Sequence, residues 1–266
     1  MDSKRLRVPD FAARKRQGEK IVMLTAYDAG FAAQCEAAGV DTVLVGDSLG
    51  NVVQGRESTL PVTLDDMVYH TAAVKRGLAT PLLIADLPFM TYRDVDTALR
   101  SSARLVAEGG AAMVKLEGAD YVLEVIDALE RRQIPVCAHL GLTPQSVHKF
   151  GGYRVQGKTK SAAERLIADA HAVEQAGASL LVLECVPAAL AKTITAELRI
   201  PTIGIGAGVD CDGQVLVIYD MLGITPGKRP KFSKDFLAGS GSVLDAIKAY
   251  AKAVRSRAFP APEHSF

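Results

Sequence analysis

Tryptophan is absent from the 266-residue chain, and aromatic residues make up only 6% of it. That is too few for the stacking platform on which proteins hold single-stranded nucleic acid. A surplus of one charge is missing as well. The 31 Lys and Arg are met by 30 Asp and Glu, a net charge of +1, so nothing drives nucleic-acid binding by bulk electrostatics. No apolar run reaches the roughly 18 residues of a membrane-spanning helix. The polar, basic start MDSKRLRVPDFAARKRQGEK lacks the apolar centre of a secretory signal. The four cysteines, Cys35, Cys137, Cys185 and Cys211, stand far apart with no Cys-x-x-Cys pair. Such spacing fits neither a disulfide framework nor a zinc site and reads as reduced thiols in a cytoplasmic protein. Linkers, low-complexity tracts and internal repeats are also missing. The expectation is therefore one domain over residues 1–266, acting on small molecules, with no nucleic-acid or membrane partner.

What is present is an alternation. Short apolar or β-branched runs recur at residues 20–25, 41–46, 81–85, 112–116, 134–138, 179–183 and 201–205, with a weaker eighth at 214–218. Continuous apolar runs of this length suit strands buried on both faces of a parallel sheet. Amphipathic stretches lie between them. Thr63-Leu64-Asp65-Asp66 opens one helix, and Ser161-Ala162-Ala163-Glu164 has the form of a capping box before Leu166, Ile167, Ala170 and Val173. That helix should stop at Ala176-Gly177. Eight strands with intervening helices in a chain of this length predict a (β/α)8 TIM barrel. A doubly wound sheet is the competitor, but no Gly-x-Gly-x-x-Gly follows the first strand. A short helix over about Val8 to Gln17 should lie near the barrel's base, and the tail after Arg257 should be loose.

Five consecutive apolar runs finish on ionisable side chains: Asp47, Asp86, Glu117 with Lys115 two residues before it, His139 and Glu184. In a barrel these ends meet at one rim, where barrel enzymes place their chemistry. Alternation along a strand puts Lys115 on the same face as Glu117, one layer deeper. Asp47, Asp86 and Glu117 are hard oxygen donors from three neighbouring strands, a set that suits Mg²⁺. Asp47 and Asp86 are expected as direct ligands, with Glu117 direct or through water; taken singly, each acid would read as a loop cap or a surface pair. Glu184 comes from across the barrel and suits proton abstraction, or else an ion pair with Lys115 or an arginine. Lys115 can neutralise a substrate carboxylate or enolate oxygen; its sharper alternative is a Schiff-base nucleophile. His139 is an accessory candidate that ligates, donates or orients. Ser48 can offer its hydroxyl and N–H to a carboxylate or merely stabilise its turn. Gly204-Ile205-Gly206-Ala207-Gly208 leaves open a phosphate cradle or a close backbone approach. Residues 143–160 form a long basic loop that could serve as a substrate lid, a solvated excursion or an oligomer contact. Tyr27-Asp28 lines the mouth or caps the next helix.

These strand ends, read together, are similar to a known family. The segments Leu24-Thr25-Ala26-Tyr27-Asp28, Val45-Gly46-Asp47-Ser48-Leu49-Gly50, Ala85-Asp86-Leu87-Pro88-Phe89, Val114-Lys115-Leu116-Glu117-Gly118, Ala138-His139-Leu140-Gly141-Leu142-Thr143-Pro144-Gln145, Leu183-Glu184-Cys185-Val186-Pro187 and Ile203 to Gly208 resemble the ketopantoate hydroxymethyltransferase family, in order and spacing. The resemblance implies a (β/α)8 barrel assembled as a homodecamer, Mg²⁺, and 5,10-methylenetetrahydrofolate as one-carbon donor. The acceptor would be 3-methyl-2-oxobutanoate and the product 2-dehydropantoate, on the route to pantothenate and coenzyme A. It also implies Asp47, Asp86 and Glu117 at the metal, Asp47, Ser48, Asp86 and Lys115 on the oxo acid, and Glu184 as proton acceptor. The loop of residues 143–160 is a candidate for contacting folate. The rival readings are a Mg²⁺-dependent carbon–carbon lyase or phosphoenolpyruvate-mutase-like barrel, a Schiff-base aldolase using Lys115, and a non-catalytic ligand-binding barrel.

Overall fold

A computed structural model describes residues 5–225, 227 and 229–266. Eight strands, β1 (Ile21–Thr25), β2 (Thr42–Val45), β3 (Leu82–Asp86), β4 (Met113–Glu117), β5 (Val136–Gly141), β6 (Leu180–Glu184), β7 (Thr202–Ile205) and β8 (Gly213–Leu216), close in chain order into a parallel barrel. Helices follow the strands on the outside except after β7, which passes to β8 through residues 206–212 without one; the interior receives one strand face and the helix layer covers the other. This is why β1 to β4 are buried at every position and why their apolar runs show no alternation with polar residues. The weaker eighth run is split: its strand ends at Leu216, and Ile218 opens the short helix Ile218–Met221 with its N–H on the Thr25 hydroxyl, 2.9 Å away.

The seam between β1 and β8 is held from outside. The helix Val243–Arg255 buries Ala246, Ile247, Tyr250, Ala251 and Val254, an i, i+4, i+8 stripe. From it the Tyr250 hydroxyl reaches the carbonyls of Met23 in β1 and Gln214 in β8, each 3.0 Å away. At the opposite end, the helix Val8–Gln17 plugs the base as expected. Arg14 pairs with Asp41 at 2.7 Å and Lys15 with Asp212 at 2.8 Å, both at strand N-terminal ends.

Two local expectations are corrected. The helix over Lys160–Gln175 is capped by Thr159, whose hydroxyl accepts from the Ala162 N–H. Ser161 therefore lies inside the first turn instead of capping it. The helix does end where expected, with Gly177 at φ 107°. The C-terminal stretch is not loose. Phe259 is buried edge-on against Phe236 and Tyr250, with ring centroids 5.4 and 5.8 Å away. Burying one phenylalanine is worth about 1.5–3 kcal/mol, enough to bring a short tail down onto the barrel. The sequence signal is hidden because two phenylalanines set among prolines have no period.

Candidate active site

At the C-terminal ends of the strands a cavity of about 620 Å³ opens, within the usual range for small-molecule sites. Asp47, Ser48, Asp86, Lys115, Glu117, His139 and Glu184 all line it. Strand pairing explains the convergence. Asp86 and Lys115 are register partners across β3 and β4, as are Glu117 and His139 across β4 and β5. Glu184, the last residue of β6, pairs with Gly141 and Ile205.

The first half of the site is acidic. Asp47, Asp86 and Glu117 are each 3% exposed. Asp47 lies one turn beyond β2, and its own N–H donates to Asp86 Oδ2 at 3.1 Å. Gly46 makes that turn possible: a Cβ there would stand 2.8 Å from Ser48 Oγ and 3.4 Å from Asp86 Oδ2. Burial, and then the charges of Asp86 and Glu117, push the Asp47 carboxyl well above the usual range. Burial also raises Asp86, against the opposing pull of Lys115. The Lys115 ammonium donates to Asp86 Oδ1 at 2.5 Å. Its burial disfavours the charge, yet the carboxylates of Asp86, Glu117 and Asp47 hold it above its ordinary range. The alternative reading of Glu184, an ion pair with Lys115, is not what is seen: Lys115 pairs with Asp86.

Gln145 completes this half. Its backbone N–H donates to Glu117 Oε2 at 2.9 Å and its side-chain amide to Asp47 Oδ2 at 2.8 Å. As they stand, the acids face Lys115 and Gln145. Among the described residues no group of three or more His, Cys, Asp or Glu is gathered closely enough to hold a metal ion unaided. The donor chemistry nonetheless fits a hard divalent cation. Three buried carboxylates share one ammonium, and uncompensated negative charge in a low-dielectric cavity favours a further cation.

The second half is centred on His139, which is 2% exposed. Its Nδ1 lies 3.5 Å from Glu117 Oε1 and its Nε2 3.3 Å from Glu184 Oε2. Neither contact has hydrogen-bond geometry, so both ring nitrogens are buried without a partner. Burial and Lys115 oppose the imidazolium, but the flanking Glu117 and Glu184 carry it up to about 9. His139 thus stands between the acid cluster and the facing glutamate. Ser48 is held from behind by the Tyr27 hydroxyl at 2.8 Å, while Asp28 caps the helix Ala29–Ala37 through the Phe31 N–H.

Sequence reasoning missed the residues behind the acids and those of the outer wall. Gln145 and Tyr92, joined at 2.6 Å, lie in loops after β5 and β3 and line a separate hollow. Arg229, Lys231, Phe232 and Phe266 line the cavity from segments after β8, and none of them carries a periodic or motif signal. They do explain the glycine run after β7: a Cβ on Gly206 would meet the rings of Phe232 and Phe266 at 3.0–3.1 Å. Close backbone approach is what Gly206 serves. The loop of residues 143–160 is no solvated excursion at its start, since Gln145 is buried, and its half-exposed Tyr153 lines the cavity.

Comparisons with known proteins agree with the strand-end pattern. The sequence model described as ketopantoate hydroxymethyltransferase matches residues 5–262. A 3-methyl-2-oxobutanoate hydroxymethyltransferase of Paraburkholderia phytofirmans is 58% identical over 259 residues, covering 97% of this chain and 95% of that one. Among solved structures, a putative phosphonomutase from Burkholderia cenocepacia J2315 superposes with a TM-score of 0.65 at 18% identity, covering 82% of this chain and 95% of that one. A phosphonopyruvate hydrolase solved with oxalate and Mg²⁺ does so at 0.61 and 14% identity, covering 95% and 98%. At such identities these two likenesses concern the fold alone.

Proposed function

The chain belongs to the ketopantoate hydroxymethyltransferase family, and from that premise we propose how its mouth cavity carries out hydroxymethyl transfer to 3-methyl-2-oxobutanoate. The observation that carries the reading is one cavity in which three buried acids and a lysine face a glutamate on another strand. Asp47, Asp86 and Glu117, buried hard oxygen donors, would hold Mg²⁺. The cation, when bound, would supply Lewis acidity to the 2-oxo acid.

The chain's own residues do the rest. Lys115, at the floor of the cavity, offsets the negative charge of the oxo acid, and the buried site makes that interaction strong. Ser48, fixed by Tyr27, donates its hydroxyl to the substrate, with Asp47 and Asp86 beside it. Glu184 takes the proton from C3, and the electron pair left on carbon moves toward the keto oxygen. The carbon then bonds to the methylene carbon of 5,10-methylenetetrahydrofolate; both C–N bonds of that carbon break, one water supplies the hydroxyl oxygen, and tetrahydrofolate leaves. His139, flanked by both glutamates, keeps Glu184 turned to the cavity. The carbon–carbon lyase and mutase readings share only the fold, and family membership favours transfer. The test is deuterium exchange at C3 of 3-methyl-2-oxobutanoate, without folate. Exchange that needs Mg²⁺ is the expected result; exchange indifferent to a chelator, or none at all, would overturn the reading.

The folate is placed against the outer wall. Tyr153 offers a half-exposed ring there, with Phe232 and Phe266 also lining the cavity, and planar ligands stack on such faces. Tyr153→Ala is expected to raise the KM for folate several-fold while C3 exchange is unchanged. An unaltered KM would remove Tyr153 from the folate site. A cytoplasmic location is supported by four free, buried cysteines, and no described helix is long and apolar enough to cross a membrane. Assembly into a homodecamer is supported by the exposed side chains of Phe89, Met90 and Tyr121, which line one surface hollow. Sedimentation at the 28.2 kDa of a single chain would refute it.

A further inference from the structure

We infer that Gln145, locked by Tyr92, is a positioning residue that sets the separation of Asp47 and Glu117 and thereby the affinity of the acid cluster for a divalent cation. The inference rests on the proposed role of those acids. Gln145 sits in the single turn Pro144–Ser146 directly after β5 and is 7% exposed. It reaches two acids by two different routes. Its main-chain N–H holds Glu117 of β4 at 2.9 Å, and its side-chain amide holds Asp47, beyond β2, at 2.8 Å. The same amide nitrogen also donates to the Leu87 carbonyl at 3.0 Å, which ties the turn to the end of β3.

The network allows one orientation of the amide. Both neighbours on the nitrogen side are acceptors, and the neighbour on the oxygen side is the Tyr92 hydroxyl, 2.6 Å away and donating. A reversed amide would set its carbonyl against the Asp47 carboxylate and the Leu87 carbonyl. Tyr92 is itself 4% exposed, so its hydroxyl has no solvent alternative. A second cavity of about 260 Å³ is lined by Tyr92, Gln145 and Glu117, so the pair stands behind the acids, on the side away from Asp86 and Lys115, and holds them by hydrogen bonds. Groups that orient metal ligands in this way typically change metal affinity by 10–100-fold when removed.

The experiment uses the full chain and Mn²⁺ as the probe, with free Mn²⁺ read by electron paramagnetic resonance. Gln145→Met keeps the side-chain length and the main-chain contact to Glu117 but frees Asp47. Pairing it with Tyr92→Phe removes the hydroxyl that the lost amide oxygen would orphan, leaving Asp47 and the Leu87 carbonyl as the acceptors without a donor. Both variants are expected to bind Mn²⁺ about 10–100-fold more weakly, and their activity is expected to return when Mn²⁺ is raised by the same factor. The double variant should regain part of the thermal stability lost by Gln145→Met without regaining affinity, which a merely structural role would not produce. Affinity within twofold of the parent in either folded variant overturns the inference, as does affinity that follows the melting temperature. Asp47→Asn separates the two layers. If it weakens binding while Gln145→Met does not, only the positioning role falls. If the parent binds no Mn²⁺, or Asp47→Asn binds it unchanged, both the metal site and the inference fall.

Discussion

Replacing Glu184 with glutamine should stop proton exchange at C3 of 3-methyl-2-oxobutanoate and lower kcat by about 10²–10⁴, the span attributable to one general base. Glutamine keeps the shape of glutamate and can still contact His139, whose Nε2 lies 3.3 Å from Glu184 Oε2. What it cannot do is accept a proton. Binding of the oxo acid should therefore survive, because Lys115, Ser48 and the acid cluster are untouched. The split is the point of the test: loss of kcat with the dissociation constant of the oxo acid preserved. Exchange in D₂O followed by NMR reads the step without folate. Exchange within tenfold of the parent would move the base elsewhere, and His139 is the nearest other titratable group on that wall.

Why Glu184 could be picked from the sequence, and Gln145 could not, is a matter of where barrel positions are specified. A strand buried on both faces must be apolar throughout, so a charged residue at its end is conspicuous. Five such residues at the ends of successive runs, from Asp47 to Glu184, need no structure to be noticed. The closed topology followed from the same runs, since eight buried strands separated by helices have few ways to hide both faces. Gln145 and Tyr92 are 53 positions apart and meet through loops. Nothing local marks a glutamine that will bridge two carboxylates, because its role depends on the distance between strands two and four.

The outer wall was illegible for a related reason. Phe232 and Phe266 touch the cavity only because Gly206 lets both rings approach the end of β7. The glycine was visible and its partners were not, so a phosphate cradle and a close approach could not be separated. The tail illustrates the limit of compositional reading. Two prolines and two phenylalanines without a period suggest a loose end, whereas Phe259 finds a ready slot between Phe236 and Tyr250. Periodicity reports how an element faces a layer; it is silent about one side chain filling one gap.

Lys115→Met should have the second large effect, on stability as well as rate. Lys115 and Asp86 form an ion pair with side chains only 5% and 4% exposed. Breaking a buried pair from one side costs about 3–5 kcal/mol, because the remaining charge has lost both water and partner. Here the remainder is larger than a single carboxylate. Asp86 would lie beside Asp47, whose N–H already serves it at 3.1 Å, and Glu117 stands on the same wall. Methionine fills much of the space of the lysine stem, so the loss is electrostatic and not a cavity effect. A cation bound by the acids would relieve that repulsion, so added Mg²⁺ should raise the melting temperature of Lys115→Met more than that of the parent. Turnover should nonetheless stay low, by about 10²–10³, since the charge that offsets the oxo acid is gone. Thermal unfolding with and without Mg²⁺, alongside C3 exchange, measures both. If Mg²⁺ stabilises variant and parent equally, Lys115 is not the counter-charge of the acid cluster. If exchange persists at the parental rate, Lys115 does not act on the substrate.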